Sequence, residues 1–185
     1  MDRAEETEDG LGRHHRTASG EADSAIPEPA DLAGYVLDAQ FGFLLRQMQQ
    51  RYVAMFMEMM GADGPTPPQF AVLCRLAVDG RISQNRLGRM TAMDPATIRG
   101  VVTRLAERGL VERLHDPDDK RRVLVQLGQR GRELLPDYIV RAKAITVAAL
   151  SSVAEPEIEP LLDVMRRLLT GFKAPDTGSA PPRRP

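Results

Sequence analysis

The stretch DPATIRGVVTRLAERGLVERLHDPDDKRRVLVQL, residues 94–127, decides the fold. Asp94 can cap the free first-turn amides of a helix, and Pro95 falls at the first helical position, where a missing N–H costs nothing. Ile98, Val101, Val102 and Leu105 then recur at i, i+3, i+4 and i+7, which gives one buried stripe. The opposite side shows Ala96, Thr97, Arg99, Gly100, Thr103, Arg104 and Arg108. Gly109 ends the helix, and two β-like runs follow, LVERL (110–114) and VLVQL (123–127). Between them lies HDPDDKRR, a turn with far more charge than a hairpin needs.

Working outward, Ser83 is a natural N-cap for a preceding short helix, QNRLGRMTA. Before it, QFAVLCRLAV (69–78) reads as a helix separated by GADGPTPP from a long helix running from about Asp31 to Met60. In that long helix Tyr35, Leu44, Leu45, Met48, Tyr52, Val53 and Phe56 recur at three- and four-residue spacing. Phe41, Phe43, Met55, Met57, Met59 and Met60 make it apolar on more than one face, so it must be covered on several sides. Residues 131–150 and 156–172 are again helical in pattern, with Pro136 either kinking the first of them or marking a later start. The expected order is α, α, α, α, β, wing, β, α, α. This is a mainly α fold with a small β-hairpin wing, a winged helix-turn-helix at 67–128 joined to a helical dimerisation region at 30–66 and 129–172.

Composition agrees with this class. The 185 residues are 42% hydrophobic but only 4% aromatic, with 9 Met and no Trp, a mix suited to helix packing. Residues 1–29 hold eight acids against three arginines, and together with 173–185 they read as disordered tails. Residues 81–143 hold fourteen Lys/Arg against eight Asp/Glu, so a formal charge of −1 conceals a basic middle. No apolar run approaches the roughly 18 residues that span a bilayer, and no signal peptide is visible. One Cys excludes an internal disulfide framework and suggests a reducing cytoplasm.

Two short helices followed at once by a cationic hairpin describe a unit that lays its second helix in the major groove of duplex DNA. The candidate DNA contacts are Ser83, Gln84 and Asn85 on the first helix of the pair. On the second they are Pro95, Ala96, Thr97, Arg99, Gly100, Thr103 and Arg104, and on the wing Asp119, Lys120, Arg121 and Arg122. Small residues let the helix seat deeply, Thr reaches thymine methyls or phosphates, and Arg bonds guanine or phosphate. The first helix and residues 131–171 carry more apolar surface than this unit can cover, which predicts a homodimer on a pseudo-palindrome with half-sites about 10 bp apart.

The segment DPATIRGVVTRLAERGLVERLHDPDDKRRVLVQLGQRGREL resembles the DNA-binding core of the MarR family of bacterial transcriptional regulators, and the likeness spans about residues 31–171. The resemblance implies a dimeric repressor whose wings enter the flanking minor grooves. Family wings commonly read D-x-R-D-x-R; here Asp118 stands at the third position, Asp119 and Arg121 match, and Asp119 is expected to brace Arg121. It also implies a small aromatic-acid effector held between the dimer helices and the winged unit. Tyr35, Phe41, Arg46, Met48, Gln49, Tyr52, Met55 and Phe70 are the candidate contacts, with Arg46 for the carboxylate; they do not all share one face. The apolar ones serve equally as dimer core. The first helix is similar, more loosely, to the nicotinate-catabolism (NicR-like) branch, which would make the effector a hydroxylated pyridine carboxylate.

Cys74 raises a redox-sensing alternative, but AVLCRLA places it on an apolar helical face where a structural role fits better. His115 is either a turn residue or a phosphate contact, and His14 and His15 lie in the acidic tail. No Ser/His/Asp or Cys/His set, HExxH, GxxxxGK[ST] or GxGxxG motif is present, so neither an enzyme nor a cofactor or metal site is expected. A helical interaction protein without DNA binding would explain the helices but not the cationic wing.

Overall fold

A computed structural model of the chain describes residues 34–119 and 121–172. The expected tails, His14, His15 and Lys120 lie outside the described residues.

The chain divides into two units, Met1–Gln40 and Phe41–Pro185. In the first, the described residues form a short 3-10 turn, Leu37–Ala39, after Gly34 at φ +87°. The long helix expected from Asp31 therefore does not form: α1 runs from Phe41 to Met60. Gln40 is extended, and Tyr35, Val36 and Leu37 are exposed, so no buried face rewards helix formation before Phe41.

In the second unit, α2 spans Pro67–Asp79, β1 Ile82–Ser83, α3 Gln84–Met90 and α4 Pro95–Glu107. There follow β2 (Val111–His115), β3 (Val123–Leu127), α5 (Gln129–Ala149) and α6 (Glu155–Gly171). α2 begins two residues earlier than the sequence suggests. Pro67 and Pro68 occupy its first turn, and Thr66 and Gln69 close a capping box in which the Thr66 N–H donates to Gln69 Oε1 at 3.0 Å. The strands form an antiparallel sheet in the order β1-β3-β2, with Ile82 opposite Val125 and Arg113 opposite Val125 on the other side. β1, only two residues long, has no periodicity by which sequence could reveal it.

One core joins these elements. Ile98, Val101, Val102 and Leu105 of α4 meet Val72, Leu73 and Leu76 of α2, Leu87 of α3, Val111 and Val125 of the sheet, and Leu135 and Tyr138 of α5. Burying such side chains stabilises by roughly 1.5–3 kcal/mol each relative to exposure. Pro136 lies inside a continuous α5, neither starting the helix nor ending it. α6 buries none of its residues, and on α1 only Phe56 and Met60 are buried.

Candidate nucleic-acid interface

The helix-turn-helix is closed by local chemistry. Ser83 Oγ accepts from the Arg86 N–H at 3.4 Å and starts α3. In the turn, Ala92 takes a left-handed φ of +53°, the Met93 N–H donates to Gly88 O at 2.9 Å, and the Thr91 hydroxyl donates to Leu87 O at 2.8 Å. At Gly88 a Cβ would stand 3.1 Å from Ile98 Cγ2 and 3.2 Å from Met93 O, so the crossing of α3 and α4 leaves little room for a side chain.

α4 starts where the sequence says. Asp94 Oδ1 accepts from the Ala96 and Thr97 N–H groups, both at 2.9 Å, and Oδ2 accepts from the Thr97 hydroxyl. The Thr97 hydroxyl and the same N–H groups hold the Asp94 carboxyl below the ordinary aspartate range, so the cap stays charged into mild acid. At the other end the Gly109 N–H donates to Ala106 O at 2.9 Å and the Leu110 N–H to Leu105 O at 2.9 Å, a Schellman closure around Gly109 at φ +68°.

Between these ends Pro95, Ala96, Thr97, Arg99 and Arg104 are exposed, and Gly100 and Thr103 are half-buried. Asn85 is exposed beside them on α3, Gln84 is half-buried, and Ser83 is committed to its cap. Arg86 and Arg89, which sequence reasoning passed over, add two exposed cations to α3. Arg108 does not belong to this outward face. It is half-buried at the C-cap, and its guanidinium donates to the carbonyls of Gly64 (3.3 Å) and Asp63 and to Gln69 Oε1 (3.4 Å).

The wing answers why its turn is so acidic. Asp116, buried to 6% exposure, accepts the Asp118 N–H at 2.9 Å and pairs with Arg122 Nη1 at 3.3 Å. Asp119 Oδ1 accepts the Arg121 N–H at 3.0 Å, while its Oδ2 stands 3.9 Å from Arg122 Nε. The brace supplied by Asp119 thus reaches the backbone of Arg121 and the side chain of Arg122, rather than the Arg121 guanidinium as expected. Arg121 is exposed and makes no ion pair among the described residues. Asp116, the keystone of the turn, was missed; the Asp-Pro-Asp order of an Asx turn was its available signal.

The candidate effector residues are only partly brought together. Phe41, Met48, Tyr52 and Met55 fall on one strip of α1, and Arg46 and Gln49 fall outside it. Phe70 of α2 reaches Tyr52 through Phe56, which the sequence placed in the apolar series of the long helix but not among the effector contacts. The Phe56 ring lies 6.0 Å from Tyr52 and 5.9 Å from Phe70. Tyr35 precedes α1 in the other unit. A groove of about 490 Å³ beside α2, β3 and α5 is lined by Arg81, Gln126 and Arg132 over Leu76, Leu135 and Ile139, and none of the eight residues borders it. Cys74 is half-buried, and desolvation pushes its thiol pKa up, which disfavours a reactive thiolate. Among the described residues no three His, Cys, Asp or Glu side chains cluster as a metal would need, and no helix is long and apolar enough to cross a membrane.

A capped recognition helix with an outward arginine face, joined to an acid-shaped cationic hairpin, defines a winged helix-turn-helix regulator of transcription. The MarR family model matches residues 66–123. The transcriptional repressor NicR of Pseudomonas putida is 38% identical over 141 residues, covering 76% of this chain and 89% of that protein. A probable transcriptional regulator from Pseudomonas aeruginosa is 49% identical with a TM-score of 0.69, covering 72% of this chain and 99% of its own. BpsR of Bordetella bronchiseptica, whose DNA binding is regulated by 6-hydroxynicotinic acid, is 36% identical with a TM-score of 0.70, over 75% and 99%. The chain belongs to the MarR family. Its relatives are regulators of transcription rather than enzymes.

Proposed function

We propose that the chain is a homodimeric, cytoplasmic repressor that binds a pseudo-palindromic operator and is released by a small aromatic or pyridine carboxylate. The observation that carries this reading is the outward face of α4. Arg99 and Arg104 flank Gly100 and Thr103 on a helix capped at both ends, and a wing with Arg121 at its tip follows. Arg99 and Arg104 suit guanine edges or phosphates in the major groove, with Ser83, Gln84 and Asn85 toward the backbone. Arg121 suits a narrow minor groove, where negative potential is enhanced, and Lys120 and Arg122 suit phosphates. Residues 67–128 are the DNA-binding part, and 30–66 with 129–172 the dimerisation part.

Repression is supported by the likeness to NicR, and a hydroxylated pyridine carboxylate by the likeness to BpsR. The aromatic series Tyr52, Phe56 and Phe70, with Phe41, Met48 and Met55 along α1, offers apolar walls for such a ring.

The test uses the full chain and a duplex that it selects from a random pool. Fluorescence anisotropy should show affinity falling steeply with salt. Arg121→Ala should weaken binding and reduce the log–log salt slope by about 0.9 if the lost charge displaced one counterion. Added 6-hydroxynicotinate should release the duplex. Salt-independent binding, or none, would overturn the DNA reading; retention of the duplex at millimolar acid would overturn the choice of effector.

A further inference from the structure

Arg108 stands apart from the other arginines of α4. It belongs neither to the groove face nor, among the described residues, to an ion pair; its guanidinium reaches across to the connector between α1 and α2, where the carbonyls of Asp63 and Gly64 and the side chain of Gln69 accept from it. Gln69 is 6% exposed and already accepts the Thr66 N–H that caps α2. The same connector is held from α5. The Tyr138 hydroxyl donates to the Asp63 carbonyl at 3.5 Å, and Arg141 donates to Met60 O at 2.8 Å while pairing with Asp137 at 2.7 Å.

The connector cannot easily shift to suit other partners. A Cβ at Gly64 would lie 2.5–2.9 Å from Met60 side-chain and backbone atoms, and Gly61 sits at φ +82°. The Asp63 carbonyl therefore joins the end of the recognition helix to α5, on a loop whose conformation is fixed by close packing. Charge-assisted bonds to carbonyls in a half-buried setting are stronger than neutral ones, and they hold direction as well as distance.

We infer that Arg108 is a positioning residue: it sets the seating of α4 against DNA by anchoring the helix C-terminus to the α1–α2 connector, and so ties that seating to α1 and α5. The inference rests on the DNA-binding reading for its functional consequence, but the anchor itself is measurable without DNA.

Arg108→Met keeps the aliphatic stem and removes every donor, and Arg108→Lys restores one charged donor. In the free chain, hydrogen exchange at residues 61–66 and 105–110 should quicken in Arg108→Met and partly recover in Arg108→Lys. On the selected duplex, Arg108→Met should weaken binding roughly fivefold or more, as expected for coupled neighbours, with the salt slope unchanged from wild type. A slope reduced by about 0.9 would make Arg108 a phosphate contact and overturn the inference. So would unaltered exchange, or faster exchange with unaltered affinity. Should the wild-type chain bind no duplex at all, the DNA reading fails while exchange still decides whether the anchor exists. Should Arg108→Met fail to fold, Arg108→Lys carries the same comparison at smaller amplitude.

Discussion

At the scale of single residues, Gly100 separates fold from function. A Cβ there would meet only the Arg104 guanidinium at 3.7–3.9 Å, ordinary contact with a flexible group. Among the described residues nothing requires glycine at this position, unlike Gly88, where Ile98 and the Met93 carbonyl crowd the site. Glycine in a helix interior costs about 1 kcal/mol relative to alanine. Gly100→Ala should therefore raise the thermal midpoint by a few degrees while weakening duplex binding, because the added methyl stands on the face proposed to seat in the groove. Calorimetry and anisotropy on the same preparations check this. Higher stability with undiminished affinity would mean that another face of α4 meets the DNA. The wing shows a similar division: Asp116 and Asp119 shape the turn and hold Arg122, and Arg121 is left outward.

At the scale of elements, the boundaries most legible in the sequence were those with their own local chemistry. Asp94-Pro95 and Gly109 bracket α4 to within a residue, and Ser83 caps α3, because each uses bonds to its immediate neighbours. The packing at the start of α5 was not legible. The helical pattern from residue 131 comes within two residues of the observed start at Gln129, but it does not show why glycines stand here: a Cβ at Gly128 would fall 2.5 Å from Gly109 O and one at Gly131 2.1 Å from Leu110 O. These glycines let α5 lie directly on the corner between α4 and β2, a long-range contact that no local pattern announces. Gly131→Ala should accordingly destabilise by about 1–3 kcal/mol, the range for overpacking a close-packed site. Gly171→Ala, with nothing within 4 Å among the described residues, should leave the midpoint nearly unchanged. Equal effects in thermal melts of the two variants would show that α5 does not depend on this approach. The same reasoning explains why Arg108 was assigned to the wrong face. Helical spacing places it beside Arg104, but Arg108, still αR in backbone, is also three residues on from the buried Leu105, at the edge of the buried stripe, and the connector lies within reach of its guanidinium.

At the scale of the whole molecule, the unmatched quantity is apolar surface. In α6, Val164, Met165 and Leu168 are about two-fifths exposed and Leu169 is 73% exposed, while Glu159, Asp163, Arg166 and Arg167 occupy the opposite side. On α1, Phe41 and Met48 are more than half exposed, and the Phe41 and Phe172 rings stand 6.5 Å apart where the two helices' ends meet. Large contiguous apolar patches are uncommon on monomers and mark interfaces. A second copy related by a two-fold axis would cover this surface, and the same axis would present two α4 helices to successive major grooves about 10 bp apart. The full chain should sediment at twice its chain mass at micromolar concentration. Met165→Glu, which places a charge within the apolar side of α6, should shift it toward monomer. The fold of the winged unit should survive, since Met165 touches none of its core, and the far-ultraviolet circular dichroism should be retained. Binding to a single half-site should then be weak and little changed by the substitution, whereas affinity for the full pseudo-palindrome should fall by a hundredfold or so, as the second contact ceases to be intramolecular. A Met165→Glu dimer of full affinity would remove α6 from the interface and leave the exposed strip of α1 to account for dimerisation alone, whereas a wild-type chain that stays monomeric at that concentration would overturn the dimer itself.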